Sequence, residues 1–311
     1  MNYAPICLFT YNRLTETKQT VEALKENFLA IESDLFIFSD GWKNESSRDS
    51  VQAVRDYLMS VDGFKTVSIV ESSTNKGLAS SIISGVSRVM DEFGSAIIVE
   101  DDLITSKNFL SFMNQSLTHY KGNDRVFSVS GFCLEIKKPI AHLADAFFWG
   151  RAHSWGWATW SDRWGSVDWS VESWDEFKIN NKQVKAFNSY GSDLFGMLKK
   201  SMLGKISSWY IRFNYSQFIQ GRLTVYPFKS KVINVGFMGG ATNCDTYNRN
   251  SVLFDQSDQT VFVMPTITET DPDIRRQLLK YKSVYYRIIG KVLTYLMKSK
   301  IIKQRTKGLV K

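Results

Sequence analysis

The first hundred residues alternate short apolar runs with segments of helical period, and this alternation restricts the fold class. Ala4–Thr10 reads as a buried strand and Thr15–Asn27 as a helix with Val21 and Leu24 inward. Asp34–Ser39 is a second strand, followed by a helix over Ser47–Met59 with Val51, Val54, Tyr57 and Leu58 on one side. Thr66–Val70, a helix over Ala79–Met90, and Ser95–Val99 complete the series. Strands alternating with helices predict right-handed βαβ units, hence an α/β fold whose mixed, mainly parallel sheet carries helices on both faces. No apolar run approaches the roughly 18–20 residues needed to cross a bilayer.

In such sheets ligands bind beyond the carboxyl ends of the strands. Strand one ends in Thr10-Tyr11-Asn12-Arg13, strand two in Ser39-Asp40-Gly41 and strand four in Glu100-Asp101-Asp102, while Asn75-Lys76-Gly77 opens the helix after strand three. Neither GxGxxG nor GxxxxGK[ST] is present, so neither dinucleotide binding nor a P-loop accounts for these ends. Consecutive carboxylates repel one another unless something positive is bound. A hard divalent cation that keeps its waters and bridges two phosphates suits one or two of them. Arg13 can reach the same phosphates, and Asp40 suits hydrogen bonding to a base or ribose.

The order Thr-Tyr-Asn-Arg, Ser-Asp-Gly, Asn-Lys-Gly, Val-Glu-Asp-Asp resembles the donor half of a GT-A nucleotide-sugar glycosyltransferase. The nearest patterns are bacterial surface-polysaccharide transferases and the metal-dependent N-acetylglucosaminyltransferases of N-glycan branching. The likeness continues through Ser154–Trp160, Ser207-Ser208-Trp209 and Pro227…Asn234-Val235-Gly236, covering about Ala4 to Cys244. It implies that Asp102 holds Mn2+ or Mg2+, that Glu100 and Asp101 meet the nucleoside and sugar, and that Asp40 reads the base of a UDP-sugar. Thr10, Asn12, Arg13, Asn75, Lys76 and Gly77 would complete the donor site. Residues 1–125 are then a nucleotide-sugar half, 126–265 an acceptor half of the same domain, and 266–311 a tail.

Seven of the nine tryptophans fall between Trp149 and Trp174. Aromatic faces serve as platforms for sugar rings, although most large aromatics are core. Five of the seven are expected in the core, with Trp155 or Trp157 near the sugar and Trp209 beside the acceptor. The relatives carry an aspartate as general base just before the tryptophan of an Asp-Ser-Trp or Asp-Asp-Trp motif; here Ser207 and Ser208 stand there. A serine hydroxyl is no base near neutral pH. Asp193, Asp175 and Glu176 are the candidates elsewhere. The alternatives are a retaining reaction, an acceptor bringing its own acid group, or a non-catalytic subunit that binds a sugar nucleotide or glycan.

The chain carries 39 Lys and Arg against 31 Asp and Glu, but twelve of the basic residues and none of the acidic ones follow Ile274. The body is therefore mildly acidic, which argues against a nucleic-acid-binding body. Three separated cysteines and a start without a basic leader fit a cytosolic setting. Arg275–Lys300 reads as one long helix. Lys280, Arg287, Lys291 and Lys298 form a stripe opposite Leu278, Tyr281, Tyr285, Ile288, Ile289, Val292 and Leu296. That pattern predicts peripheral attachment to an anionic membrane at its cytoplasmic face, where a lipid-linked oligosaccharide or other glycan acceptor would be found.

Overall fold

Strands β1 (Ile6–Thr10), β2 (Asp34–Ser39), β3 (Thr66–Glu71) and β4 (Ser95–Glu100) follow the alternation, joined by α1 (Leu14–Lys25), α2 (Arg48–Leu58) and α3 (Leu78–Phe93). The computed structural model describes residues 3–236 and 252–283, together with 285, 286, 288, 289 and 292. After β4 come β5 (Leu103–Thr105), α4 (Phe109–Tyr120), β6 (Val126–Ser130), β7 (Ala146–Trp149) and β8 (Trp157–Trp160). Then follow α5 (Ser161–Gly165), α6 (Trp174–Ile179), α7 (Asn181–Asn188), α8 (Leu194–Met202) and α9 (Trp209–Ile219). The last described elements are β9 (Leu223–Pro227), β10 (Val232–Asn234) and α10 (Pro272–Tyr281).

Eight strands form one sheet in the order β3-β2-β1-β4-β8-β6-β9-β7. β3, β2, β1 and β4 are parallel, β8 is antiparallel to both β4 and β6, β9 is parallel to β6, and β7 closes the edge antiparallel. The fold is thus α/β with a mixed, mainly parallel sheet, as the alternation requires. Strand alternation assigns the two faces. Ile6, Leu8, Leu35, Ile37, Ile97 and Val99 pack with Val21 and Leu24 of α1. Cys7, Phe9, Phe38, Ala96 and Ile98 face Ile82, Val86, Val89 and Met90 of α3 and Trp209 and Phe213 of α9. Each such aliphatic burial contributes about 1.5–3 kcal/mol.

Two features place residues at the carboxyl edge. A small antiparallel pairing of β5 with β10 sets Leu103 opposite Asn234. It continues as a hydrogen bond from Val235 N–H to the Asp102 carbonyl at 2.9 Å. Gly77, at φ +74°, turns the chain from the β3 loop into α3, a backbone angle that favours glycine.

The tail differs from the single helix expected over Arg275–Lys300. α10 ends at Tyr281. The Lys282 carbonyl accepts from Ser192 Oγ at 2.8 Å, and Ser283 Oγ accepts from the Tyr286 N–H at 3.2 Å, so Ser283 caps a new helical stretch. Ile274 and Leu278 are buried in the main core, which docks α10 on the body. Arg287, Lys291, Leu296 and Lys298 lie outside the described residues.

Candidate functional site

The carboxyl ends of β1, β2 and β4 open into a cleft of about 620 Å³, closed on its far side by Ser154, Trp155, Met197, Ser208, Asn234 and Gly236. Of the sequence candidates, Thr10, Asn12, Arg13, Asp40, Asn75, Gly77, Glu100, Asp101, Asp102, Trp155 and Ser208 line it.

Asp40 has a different task from the base reading expected of it. Its Oδ1 accepts from the N–H groups of Gly41 and Lys76, both at 2.9 Å, and its Oδ2 from Gly77 N–H at 2.9 Å and Asn75 Nδ2 at 3.1 Å. Four donors saturate the carboxylate, which therefore folds the Asn75-Lys76-Gly77 loop around the end of β2. Lys76 contributes its backbone to this turn; its side chain is exposed and outside the cleft lining. Sequence reasoning missed Arg55, which is buried on α2. Its guanidinium donates to Ser39 Oγ at 3.3 Å and to the carbonyls of Ser72 at 2.7 Å and Asp40 at 3.4 Å. It braces the Asp40 turn from below, and an arginine inside an amphipathic helix gives no local sign of such a partner.

The three carboxylates share one guanidinium. Arg13 Nη1 donates to Asp102 Oδ2 at 3.0 Å and its Nη2 to Asp101 Oδ1. Asp101 Oδ2, Asp102 Oδ1 and Thr10 Oγ1 are buried without a hydrogen-bond partner. Burial pushes Glu100 up to about 8, with Asp102 and then Asp101 adding to the shift and Arg13 opposing it. Burial likewise raises Asp101 to about 6 against the pull of Arg13. Burial works against the charge on Arg13 too, yet Asp101 and Asp102 outweigh it and hold the guanidinium protonated. One cation among three carboxyls leaves the cluster short of positive charge. Gly236 closes over it: a Cβ there would lie 2.4 Å from Asp102 Oδ2, so only glycine admits the present approach.

Among the described residues no group of three or more His, Cys, Asp and Glu is arranged to hold a metal by itself. A hard cation shared with a diphosphate needs only one or two protein carboxylates. The unpartnered Asp101 Oδ2 and Asp102 Oδ1 fit that demand.

The aromatic expectations divide. Trp155 is half-buried at the cleft, held edge-on by Phe132 at 4.8 Å and by His153 at 5.0 Å, and its backbone N–H donates to His153 Nδ1 at 3.3 Å. Trp157, expected near the sugar, and Trp209, expected beside the acceptor, are core instead: they stack on each other at 4.9 Å and are 1% and 4% exposed. Trp157 stands in the middle of the sheet on β8, on the face that α3 and α9 cover.

The base candidates fare worse. Asp193 is locked against buried Arg151, accepting from Nη1 at 2.8 Å and Nη2 at 3.0 Å. Burial alone would raise its pKa, but Arg151 overrides this and holds it well below the usual carboxylate range. A carboxylate so committed is a poor proton acceptor. Asp175 and Glu176 are exposed on α6, away from the cleft lining, and Asp175 pairs with Lys178. Ser207 is exposed outside the lining, and Ser208 reaches the cleft just before α9.

No protein-family model matches the chain, and no curated protein matches it in sequence. Solved structures similar to it include a mannosyltransferase, PcManGT from Pyrobaculum calidifontis, in complex with GDP-Man and Mn2+. The identity there is 13% over 50% of this chain and 45% of that one, with a TM-score of 0.33. TarS of S. aureus is similar in two forms. Its 1–349 fragment gives 9% identity over 76% of this chain and 61% of that one, TM-score 0.41. The second TarS structure gives 9% over 76% and 37%, TM-score 0.43. This chain spans less than two thirds of the length of each. Similarity at this level carries no argument about what this chain does.

Proposed function

We propose that this protein is a glycosyltransferase that moves a sugar from a nucleotide donor, a UDP-sugar in the first instance, to a glycan or lipid-linked acceptor in surface polysaccharide synthesis. One observation carries the reading: three carboxyls, one guanidinium and two orphaned carboxylate oxygens converge where the parallel strands end. Such a cluster is complementary to a diphosphate together with a divalent cation. Asp102, seconded by Asp101, would hold Mn2+ or Mg2+, and that ion supplies charge neutralisation to a departing diphosphate. Arg13 lies on the same carboxylates and can turn its guanidinium to phosphate oxygens. Thr10 Oγ1, with no partner, and Asn12 face the space for the nucleoside, and the Asp40-braced loop walls it. Glu100, whose side chain makes no hydrogen bond among the described residues, is left to meet donor hydroxyls. Trp155 offers its ring to the sugar or acceptor. In transfer, an acceptor hydroxyl oxygen bonds to the anomeric carbon as the carbon–oxygen bond to the diphosphate breaks, and the hydroxyl proton leaves to a base.

A second reading has its own support. The carboxylates lining the cleft among the described residues are Asp40 and the triplet, with Ser208 at the acceptor side. That composition also suits a subunit that binds a sugar nucleotide without turning it over. Calorimetry with UDP, GDP and dTDP, with Mn2+ or with EDTA, separates the cases when paired with a nucleotide-release screen across the matching sugar nucleotides. Metal-dependent binding lost in Asp102→Asn, together with release, supports transfer. Binding without release under any acceptor supports the second reading. Absence of binding in the wild-type protein would sink both.

A further inference from the structure

The loop after β6 leaves the sheet at the same edge as the cleft, because β6 and β4 are both antiparallel to β8. It begins against the cleft, with Phe132 edge-on to Trp155. It ends in a tip on which Ile140 is fully exposed and Leu143 is 84% exposed. The tip is flanked by exposed Lys137 and Lys138, and no acidic residue occurs from Ile136 to Ala144.

This loop is tied down. Lys137 N–H donates to Gln277 Oε1 at 2.8 Å, Gln277 Nε2 donates to the Lys137 carbonyl at 2.9 Å, and Tyr281 OH donates to the Glu135 carbonyl at 2.9 Å. The loop and α10 are thus one unit, and the two aliphatic side chains are held outward by an ordered frame. Asp145, at the end of the loop, exchanges hydrogen bonds with Val263 at 2.7 and 2.9 Å, which sets the exposed Val261 and Val263 alongside. α10 adds exposed Arg275, Arg276 and Lys280, and the sequence beyond it stays basic without an acidic residue. Asp145 and Asp273 each engage one cation of the rim, Lys138 and Arg276.

Exposed aliphatic tips inside a basic rim match an anionic bilayer, where acyl chains accept the tips and headgroups meet the cations. A second copy of this chain would bring basic rim against basic rim, which opposes self-pairing. We propose that the edge formed by Lys137–Leu143 and α10 rests on an anionic lipid surface, with Ile140 and Leu143 entering the acyl boundary. The cleft then opens beside the membrane, at Trp155. Presentation of a lipid-linked acceptor there rests on the proposed transfer reaction; the docking itself does not.

The test is flotation of the full chain with vesicles of phosphatidylcholine, alone or mixed with phosphatidylserine, at low and high salt. The wild type is expected to float with the mixed vesicles and to be released by salt. The Ile140→Ser/Leu143→Ser variant, whose changes lie in solvent, is expected to lose at least ~10-fold in partition. Its melting temperature and UDP–Mn2+ binding should stay those of the wild type. A fall of less than about two-fold, or a wild type indifferent to anionic vesicles, overturns the proposal. Self-association abolished by the same variant, without vesicle binding, overturns it as well and assigns the patch to a second copy. Vesicle binding with no nucleotide binding would leave this docking standing and remove the proposed function.

Discussion

Replacing Asp193 by asparagine separates a structural carboxylate from a catalytic one. Arg151 is 6% exposed, with Asp193 on both terminal nitrogens and Tyr210 OH on Nε at 2.9 Å. Removing one partner of a buried pair costs about 3–5 kcal/mol, because the remaining charge is stranded. The Asp193 side chain is 22% exposed, so water screens part of that cost, and about 2–3 kcal/mol is the expected loss. For a chain of this size that is a fall in Tm of roughly 3–5 °C. Urea and thermal melts of Asp193→Asn measure it. Arg151→Met/Asp193→Leu, which removes both charges, should recover most of the loss. The pH dependence has a definite sign. A depressed carboxylate contributes stability that is present above its unfolded pKa, near 4, and is lost as pH falls through the lower folded value. The gap between wild type and Asp193→Asn should therefore be full at pH 7 and close in strong acid. If the variant melts within about 1 °C of wild type but loses transfer, the structural assignment is wrong and Asp193 is the base.

Two further outcomes follow from the cleft. Glu100 and Asp101 are raised to about 8 and about 6, so in EDTA their contribution to stability is full below about pH 4 and lost as pH rises through those values. Denaturant midpoints at pH 5, 6.5 and 8.5 should show this fall, less of it in Glu100→Gln and less again with Mn2+ and UDP; identical slopes in all three would refute the charge shortage. Trp157→Ala should cost about 3–5 kcal/mol from the core. Trp155→Ala should leave the melt nearly intact and weaken UDP-sugar relative to UDP in calorimetry; an unchanged preference would take Trp155 out of the site.

The carboxyl-end motifs were legible because a parallel sheet sends every strand end to one edge, whatever side chains stand there. Asp34–Ser39 was read to the residue, and the other early strands and helices to within three, since burial alternation and helical period are local signals. What those ends do was less legible. Asp40 looks like a base-reading residue in sequence, and only the folded loop shows four donors already on it. Arg151 and Asp193 stand 42 residues apart, and no periodicity connects them. Trp157 shares the Ser154–Trp160 motif with Trp155, and Trp209 closes the Ser207-Ser208-Trp209 motif, yet strand alternation and the arrival of α9 turn both into core.

The sequence by itself determined the α/β class, the edge that gathers Arg13 with Glu100-Asp101-Asp102, and the basic run after Ile274. These follow from nearest-neighbour periodicity and from charge, which a linear chain already contains. Tertiary structure alone decided which carboxylates are spent and which are open, that the tail turns at Lys282–Ser283, and that Ile140 and Leu143 are held out in water. Those outcomes depend on partners brought from far along the chain, and a side chain's chemistry is set by what folding places around it.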